Sequence, residues 1–193
     1  MSQVELLPQT SDLPEGMLYQ SDFLSADAER DLLARFSKLA FGEFKMHGVI
    51  AKRRVLHFGR DYQYQRGTIG PGAKIPNYLM PIIGQIGRVA GKNPEEFREV
   101  LLTHYPPGAG IGWHRDAPPF DIIAGISLLG ECTMRLRPWP IEKGSVKSRK
   151  VVAQILEARS LYILRGPSRT SWQHHIPPTS TERFSVTVRK LRD

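Results

Sequence analysis

The sequence predicts one mainly-β domain with flanking helices, an α+β arrangement whose core is a sandwich or jelly roll. Its 193 residues suit one well-buried domain and are too few for two ordinary ones. From Val100 onward, short apolar segments alternate with turn-forming residues, a spacing typical of sandwiches and jelly rolls. Both segments with helical periodicity precede that region. We therefore expect a β core with helices packed on one sheet.

Two helices are predicted in the first half of the chain. Ser25 can cap the first helix, whose apolar residues return on one side until Gly42 ends it. The second runs from about residue 76 to residue 89, carries an apolar stripe, and is terminated by Gly91. Because each apolar stripe needs a covering surface, both helices should back the sheet.

Strands account for most of the remaining chain. Between the helices, residues 55–58 and 62–64 have β-like composition, and a loop rich in glycine and proline follows at 67–76. The second half contains seven predicted strands: 100–105, 122–129, 132–137, 151–156, 161–164, 172–176 and 183–189. Residues 138–150 interrupt this series with lysines and arginines, and are predicted to form a basic surface loop.

The charge balance favours a polyanionic partner. A net charge of +8 points to nucleic acid first and to a membrane surface second. No apolar run approaches the roughly 18 to 20 residues that span a bilayer, and the first 20 residues lack the features of a signal peptide. We therefore expect a cytoplasmic protein without a membrane partner. The single cysteine, Cys132, allows no intrachain disulfide and should pack inside a strand, and no obligate protein partner is evident.

The last predicted strand separates polar from apolar side chains. Because side chains alternate across a strand, one face carries two arginines and two hydroxyl groups: Arg183, Ser185, Thr187 and Arg189. The other face is apolar and suits packing on the helices. If the polar face lines a barrel, both guanidinium groups need negative partners, since an unpaired buried charge costs several kcal/mol. A dicarboxylate ligand would provide both.

A His-x-Asp pair at His114 and Asp116, with a later His174, is the strongest chemical signal in the chain. Two imidazoles and one carboxylate can occupy one face of an octahedral ferrous ion and leave positions open for a chelating cosubstrate and dioxygen. A structural zinc site would instead close its shell with four protein ligands. The pattern therefore indicates an enzyme.

These residues resemble the AlkB family of Fe(II)- and 2-oxoglutarate-dependent dioxygenases over about residues 53–189. Three motifs carry the resemblance: Tyr105-x-x-Gly108 leading to His114-x-Asp116, then Trp172-x-His174-x-Ile176-Pro177, and finally Arg183-x-x-x-Thr187-x-Arg189. Their order and spacing make the resemblance specific. It implies a double-stranded β-helix, with a jelly-roll core at about 98–192 and an N-terminal nucleotide-recognition lid at about 45–75.

The resemblance also implies roles for individual residues. Fe(II) would be bound by His114, Asp116 and His174. Arg183 and Tyr105 would bind the distal carboxylate of 2-oxoglutarate, and Arg189 would serve its metal-proximal end. Thr103 and Ser185 stand where nucleic-acid-repairing members tend to have asparagine, and both can still form hydrogen bonds in the cosubstrate pocket. With dioxygen, family members hydroxylate an N-alkyl carbon, and the product then loses an aldehyde.

A substrate-binding lid is implied by Arg53-x-x-x-x-Phe58-Gly59 and by Tyr62-x-Tyr64. Arg53, Phe58, Tyr62 and Tyr64 would contact DNA or RNA, either single-stranded or with a flipped base, although both tyrosines also suit ordinary strand positions. The acidic residue that often follows the His-x-Asp pair and contacts the base is absent, since Asp116 precedes Ala117-Pro118-Pro119. The chemistry is therefore better supported than the substrate.

Several alternatives remain open from the sequence alone. His175 competes with His174, because strand alternation lets only one of two neighbours face the metal, and the motif favours His174. His47, His57 and His104 are expected to be structural or surface residues, and Trp113 and Trp139 to pack. The same oxygenase chemistry could act on a protein side chain or a small molecule. A nucleic-acid-binding module without turnover is the third possibility.

Overall fold

The computed structural model describes residues 13–46, 49–63, 68–140 and 151–192. Over these residues the chain forms two antiparallel sheets with helices on the outside of the larger one. The elements are β1 (Met17–Gln20), α1 (Ala26–Phe36), β2 (Gly42–Met46), β3 (Val49–Gln63), β4 (Thr68–Pro71), α2 (Met80–Ala90), β5 (Phe97–Tyr105), β6 (Ile111–His114), β7 (Phe120–Leu128), β8 (Cys132–Pro138), β9 (Val152–Leu156), β10 (Leu161–Leu164), α3 (Pro167–Thr170), β11 (Trp172–Ile176) and β12 (Arg183–Leu191). Short 3₁₀ turns occupy Asn77–Leu79 and Pro94–Glu96.

The larger sheet has the strand order β1-β10-β7-β12-β5-β3-β2, with β4 paired to β3, and the smaller sheet has the order β6-β11-β8-β9. One hydrophobic cluster lies between the larger sheet and the helices α1 and α2. A second cluster lies between the sheets and includes Phe120, Met134 and Leu136. This is the predicted jelly roll with helices on one sheet. No helix among the described residues is long and apolar enough to cross a membrane.

The second helix agrees with its prediction and the first is shorter. Gly91 ends α2 with a left-handed backbone (φ of 66°), as a C-terminal glycine should. Helix α1 has the expected Ser25 cap but ends at Phe36, so the prediction that Gly42 stops it is wrong. Gly42 instead opens β2. After the helix, Phe41 packs against Phe184 of β12, with 5.8 Å between the ring centroids.

Strand β3 corrects the prediction of two short β pieces. It runs without a break over 15 residues and pairs with β5 from Arg54 opposite His104 to Gly59 opposite Glu99. Residues 54–59 are therefore part of the larger sheet, and the lid at about 45–75 stays a prediction. The predicted loop at 67–76 begins with β4, which pairs with residues 60–63. The predicted basic loop lies mostly outside the described residues.

Candidate active site

Three side chains with metal-binding atoms meet between the two sheets. His114 ends β6, Asp116 follows two residues later, and His174 lies in β11 directly opposite His114. Their ligand atoms all lie within 4.8 Å of one another. The structure thus brings together the three residues that the sequence predicted, although they come from different strands and a turn. His175 points to the other face of β11, where its ring stacks on Trp113 at 5.0 Å.

Hydrogen bonds orient this triad. His114 Nδ1 lies 2.9 Å from the carbonyl oxygen of Gly112, which leaves Nε2 as its ligand atom. Asp116 Oδ1 accepts a hydrogen bond from Arg189 at 2.9 Å, while Oδ2 lies 3.4 Å from His174 Nε2. Partners of this kind fix the tautomer and direction of metal ligands. The donor set therefore fits a divalent cation with open positions, as Fe(II) requires in oxygenases.

The protonation states also suit a metal. Burial and the neighbouring His114 lower the pKa of His174 to about 3, and burial lowers the pKa of His114. Burial alone would raise the pKa of Asp116, but Arg189 and the two histidines outweigh it and hold that pKa well below its usual value. Two neutral imidazoles and one carboxylate are the forms that bind a cation without first releasing protons.

The backbone beside Asp116 is held by Arg169 of α3. This side chain is 5% exposed, and its Nη2 donates to the carbonyl oxygens of Asp116 and Ala117. Burial lowers the pKa of Arg169, while the Asp116 carboxylate opposes that shift. Sequence reasoning missed this residue because an arginine in a four-residue helix has no distinguishing pattern.

Arg189 has protein carboxylates as its partners. Its Nη1 donates to Glu99 Oε1 at 2.5 Å and its Nη2 to Asp116. Glu99 is fully buried on β5, directly opposite Arg189, and its Oε1 also lies 3.6 Å from His57 Nδ1. The expectation that both buried arginines depend on a dicarboxylate ligand is therefore wrong for Arg189. Its contact with the metal-proximal end of the cosubstrate stays a prediction.

Arg183 has the unsatisfied donor that a ligand carboxylate would meet. The side chain is 1% exposed, its Nε donates to Ser127 Oγ at 2.8 Å, and its guanidinium lies 4.8 Å from the centre of the Tyr105 ring. Its Nη1 is buried and has no hydrogen-bond partner among the described residues. A buried donor of this kind is costly unless a ligand accepts from it. The dicarboxylate 2-oxoglutarate fits here.

The walls of the same cavity contain the other predicted cosubstrate residues. Tyr105 lies opposite Arg183, and Thr103 lies opposite Ser185, so the two strands present four predicted residues to one space. Ser127 of β7, which accepts a hydrogen bond from Arg183, was missed, since one serine in an apolar strand has many structural explanations.

The structure places one predicted substrate-binding residue in the cavity wall and another in the hydrophobic core. Arg53 lines the cavity, and its guanidinium lies 4.2 Å from the centre of the Phe44 ring. Phe58 does not reach the cavity: it alternates with His57 along β3 and packs against the helix-side core. Its assignment to substrate binding is therefore wrong. The side chain of Tyr62 and all of Tyr64 lie outside the described residues.

The surroundings of His104 and His57 can be compared with the prediction that both are structural or surface residues. His104 is structural as predicted, because its ring stacks on Phe184 and its Nε2 lies 2.7 Å from Glu182. His57 lines the cavity instead of serving only the surface. His47 lies outside the described residues.

Comparison with known proteins identifies the family. A family model described as the 2OG-Fe(II) oxygenase superfamily matches residues 16–190. The chain belongs to this superfamily. Its members use Fe(II), 2-oxoglutarate and dioxygen, so the chain is a 2-oxoglutarate-dependent dioxygenase by family, as the motifs predicted.

Sequence relatives place the chain near AlkB homologues within the superfamily. The Arabidopsis thaliana "Alkylated DNA repair protein ALKBH8 homolog" is 27% identical over 222 residues, which cover 98% of this chain and 62% of that protein. The Mus musculus "tRNA (carboxymethyluridine(34)-5-O)-methyltransferase ALKBH8" is 27% identical over 177 residues, which cover 86% of this chain and 25% of that protein. The chain thus spans less than two thirds of the length of either relative.

Solved structures confirm the fold. OsALKBH1 matches with a TM-score of 0.71 at 15% identity, over 92% of this chain and 99% of that one. A prolyl-4-hydroxylase from Pseudomonas putida matches with a TM-score of 0.60 at 18% identity, over 92% of this chain and 93% of that one. Both likenesses support the predicted jelly-roll architecture.

Proposed function

We propose that this chain oxidatively removes alkyl groups from nucleobases in DNA or RNA. One observation carries the proposal: the His114, Asp116 and His174 triad and the Arg183 pocket share one cavity, whose wall also contains the cationic side chains Arg53 and Arg115. The relatives named for alkylated DNA repair and for tRNA modification support a nucleic acid as the substrate. With a DNA substrate, the reaction would be a repair reaction.

Each group in the cavity has a defined task in this reaction. Arg183, with Ser127 on its Nε and Tyr105 beneath its guanidinium, would hold the distal carboxylate of 2-oxoglutarate. Arg189 would keep Asp116 ionised and directed toward the metal. Bound here, Fe(II) and 2-oxoglutarate would supply the superfamily's chemistry, in which 2-oxoglutarate loses carbon dioxide, one oxygen atom of dioxygen enters the resulting succinate and the other enters a C–H bond. A hydroxylated N-alkyl group then leaves as an aldehyde.

The substrate must come to the metal. His174 and Asp116 are almost entirely buried, so a base stacked inside a duplex cannot reach them. A single strand or an extruded base can enter such a cavity. Arg53 and Arg115 at its wall would contact phosphate groups of the entering strand.

Two assays separate this function from its alternatives. Protein loaded with Fe(II) under anaerobic conditions is given 2-oxoglutarate, air and either a methylated oligonucleotide or a methylated peptide, and both succinate and formaldehyde are measured. We expect both products from the oligonucleotide and neither from the His174→Ala variant. Formaldehyde from the peptide alone would favour a protein substrate. Oligonucleotide binding without succinate would favour a binding module without turnover.

A further inference from the structure

A second cationic surface lies on the outer face of the smaller sheet, opposite to the metal side. In β11, His174 faces inward and His175 outward, and in β8 the buried Met134 and Leu136 alternate with Arg135 and Arg137. We call this surface the arginine–tryptophan face, and it consists of Trp113, Arg115, Arg135, Arg137, Trp139 and His175.

This face has cations without acidic partners. The strands β6, β8, β9 and β11 contain no aspartate or glutamate. Within the described part of the chain, no carboxylate forms an ion pair with Arg115, Arg135 or Arg137. Elsewhere, by contrast, Arg30 and Arg159 do pair with acids. A cationic surface whose described strands carry no acids complements a polyanion.

Aromatic rings hold the arginines in place. The Arg137 guanidinium lies 4.2 Å from the centre of a Trp113 ring, and its Nε donates to Gln173 Oε1 at 2.9 Å. Arg115 lies 5.2 Å from the centre of a Trp139 ring and donates to the carbonyl oxygen of Thr170 at 3.2 Å. Stacking uses the flat face of a guanidinium and leaves its edge donors available for phosphate oxygens, at a reduced loss of side-chain entropy.

The face is continuous with the active site through Arg115. This residue lies between His114 and Asp116 in the chain, lines the cavity, and stacks on Trp139. A strand whose target base enters the cavity would therefore leave it beside the arginine–tryptophan face. Arg115, Arg135 and Arg137, which have no acidic partner among the described residues, would meet the phosphates next to the target nucleotide.

We infer that the arginine–tryptophan face binds the phosphate backbone of the single strand that flanks the target nucleotide. The inference rests on the proposed function. It assigns Arg135 and Arg137 to affinity for longer strands rather than to the chemistry, because both alternate with the buried Met134 and Leu136 and point away from the metal side of the sheet. The alternative is that this face binds a protein partner, and the test must distinguish the two.

The test compares two variants that remove the same charge. Arg135→Gln with Arg137→Gln alters the face, whereas Arg30→Gln with Arg88→Gln removes two exposed arginines from the helical side of the molecule. Binding of a labelled single strand of about fifteen nucleotides is measured as a function of salt. Each phosphate contact contributes about 0.7 to the log–log slope for single strands, so the face variant should lower the slope by about 1.4 and the affinity by about 10- to 30-fold near 0.1 M salt. The helical variant should change neither.

Two further measurements keep the inference falsifiable. Turnover of a methylated nucleoside, which carries no phosphate for the face to bind, should be the same in the face variant and the unaltered protein. Replacement of Arg135 and Arg137 by lysine should restore most of the salt dependence, which a folding defect would not allow. Equal effects of the face and helical variants would overturn the inference alone. If the unaltered protein turns over methylated peptide but no oligonucleotide, the proposed function fails as well.

Discussion

At the scale of single residues, strand alternation decides between two adjacent histidines. His174 shares the triad with His114 and Asp116, and His175 stacks on Trp113 on the outer face. We expect His174→Ala to abolish binding of one Fe(II) per chain, because two remaining ligands hold the ion poorly, while His175→Ala keeps it. Anaerobic titration with Co(II), followed by its visible absorption, measures both. The reverse result would show that the ligand assignment is wrong.

Arg183 is predicted to set the affinity for 2-oxoglutarate. Arg183→Leu removes the buried donor Nη1, and truncating one partner of a buried charge pair costs about 2 to 5 kcal/mol. The 2-oxoglutarate concentration for half-maximal turnover should therefore rise about 30-fold or more, with Fe(II) binding unchanged. Ser127→Ala loses only the hydrogen bond to Nε and should cost about 1 kcal/mol, or about fivefold. An unchanged requirement in the leucine variant would remove Arg183 from the pocket.

Glu99 is predicted to support the metal from outside its ligand shell. It shares Arg189 with Asp116, so Glu99→Gln leaves the guanidinium charge less neutralised beside the cation. Changes at this distance from a metal typically lower affinity by about 10- to 100-fold. Competition with a fluorescent chelator measures the Fe(II) affinity, and His104→Gln, which alters a hydrogen bond to Glu182 on the sheet's other side, serves as the control. Equal affinity in both variants would contradict this role.

At the scale of elements, replacing a glycine by alanine should destabilise the fold at one position and stabilise it at another. A Cβ at Gly125 of β7 would lie 2.3 Å from the Tyr162 ring, so Gly125→Ala should lower the free energy of unfolding by about 1 to 3 kcal/mol. A Cβ at Gly84 in α2 meets nothing within 4 Å, so Gly84→Ala should raise it by about 0.5 to 1 kcal/mol. Urea unfolding measures both. Destabilisation of similar size at both sites would contradict the packing described for β7.

The elements predicted best from sequence are those whose pattern is local. The seven strands of the second half were predicted within three residues at each end, because alternation and turn residues mark them. The strands β1, β2, β4 and β6 were missed: each has only four or five residues, β1 is fixed by its pairing with β10, and β6 contains Gly112. The full length of β3 was also missed, because the basic residues Lys52 to Arg54 interrupt its apolar pattern and because its pairing with β5 is non-local.

In the site, too, residues in local motifs were predicted from sequence, and residues defined by distant contacts were not. The triad and Arg183 follow short motifs and were predicted, whereas Glu99 and Arg169 act through partners 90 and more than 50 residues away in sequence. Phe58 was assigned to the substrate because the resemblance supplied its position but not the direction of its side chain. The strand register decides that direction, and only the assembled sheet fixes it.

At the scale of the whole molecule, the buried imidazoles should make the metal-free protein sensitive to acid. His174, with a pKa of about 3, and His114, with a lowered pKa, stay neutral in the folded chain, while unfolded histidines take up protons below about pH 6.5. The stability contributed by His174 is therefore fully present above pH 6.5 and falls as pH decreases toward 3, by about 1.4 kcal/mol per pH unit, and His114 adds a loss in the same direction. Asp116 adds a loss only below about pH 4.

Urea unfolding in the presence of a chelator at a series of pH values measures this dependence. His174→Gln removes one of the two titrations and should give a shallower pH dependence than the unaltered protein. The same slope in both proteins would show that His174 is not held neutral by its surroundings.

The position of β12 affects how the protein can be made. This strand is the last of the described strands in chain order, yet it lies between β5 and β7 and joins the two halves of the larger sheet. During synthesis the ribosome releases Glu99 and Asp116 well before Arg189, so their carboxylates lack their arginine partner until β12 emerges. We therefore expect nascent chains that stop before Arg183 to remain protease-sensitive. The iron site and the sheet would then be completed together, after translation of β12.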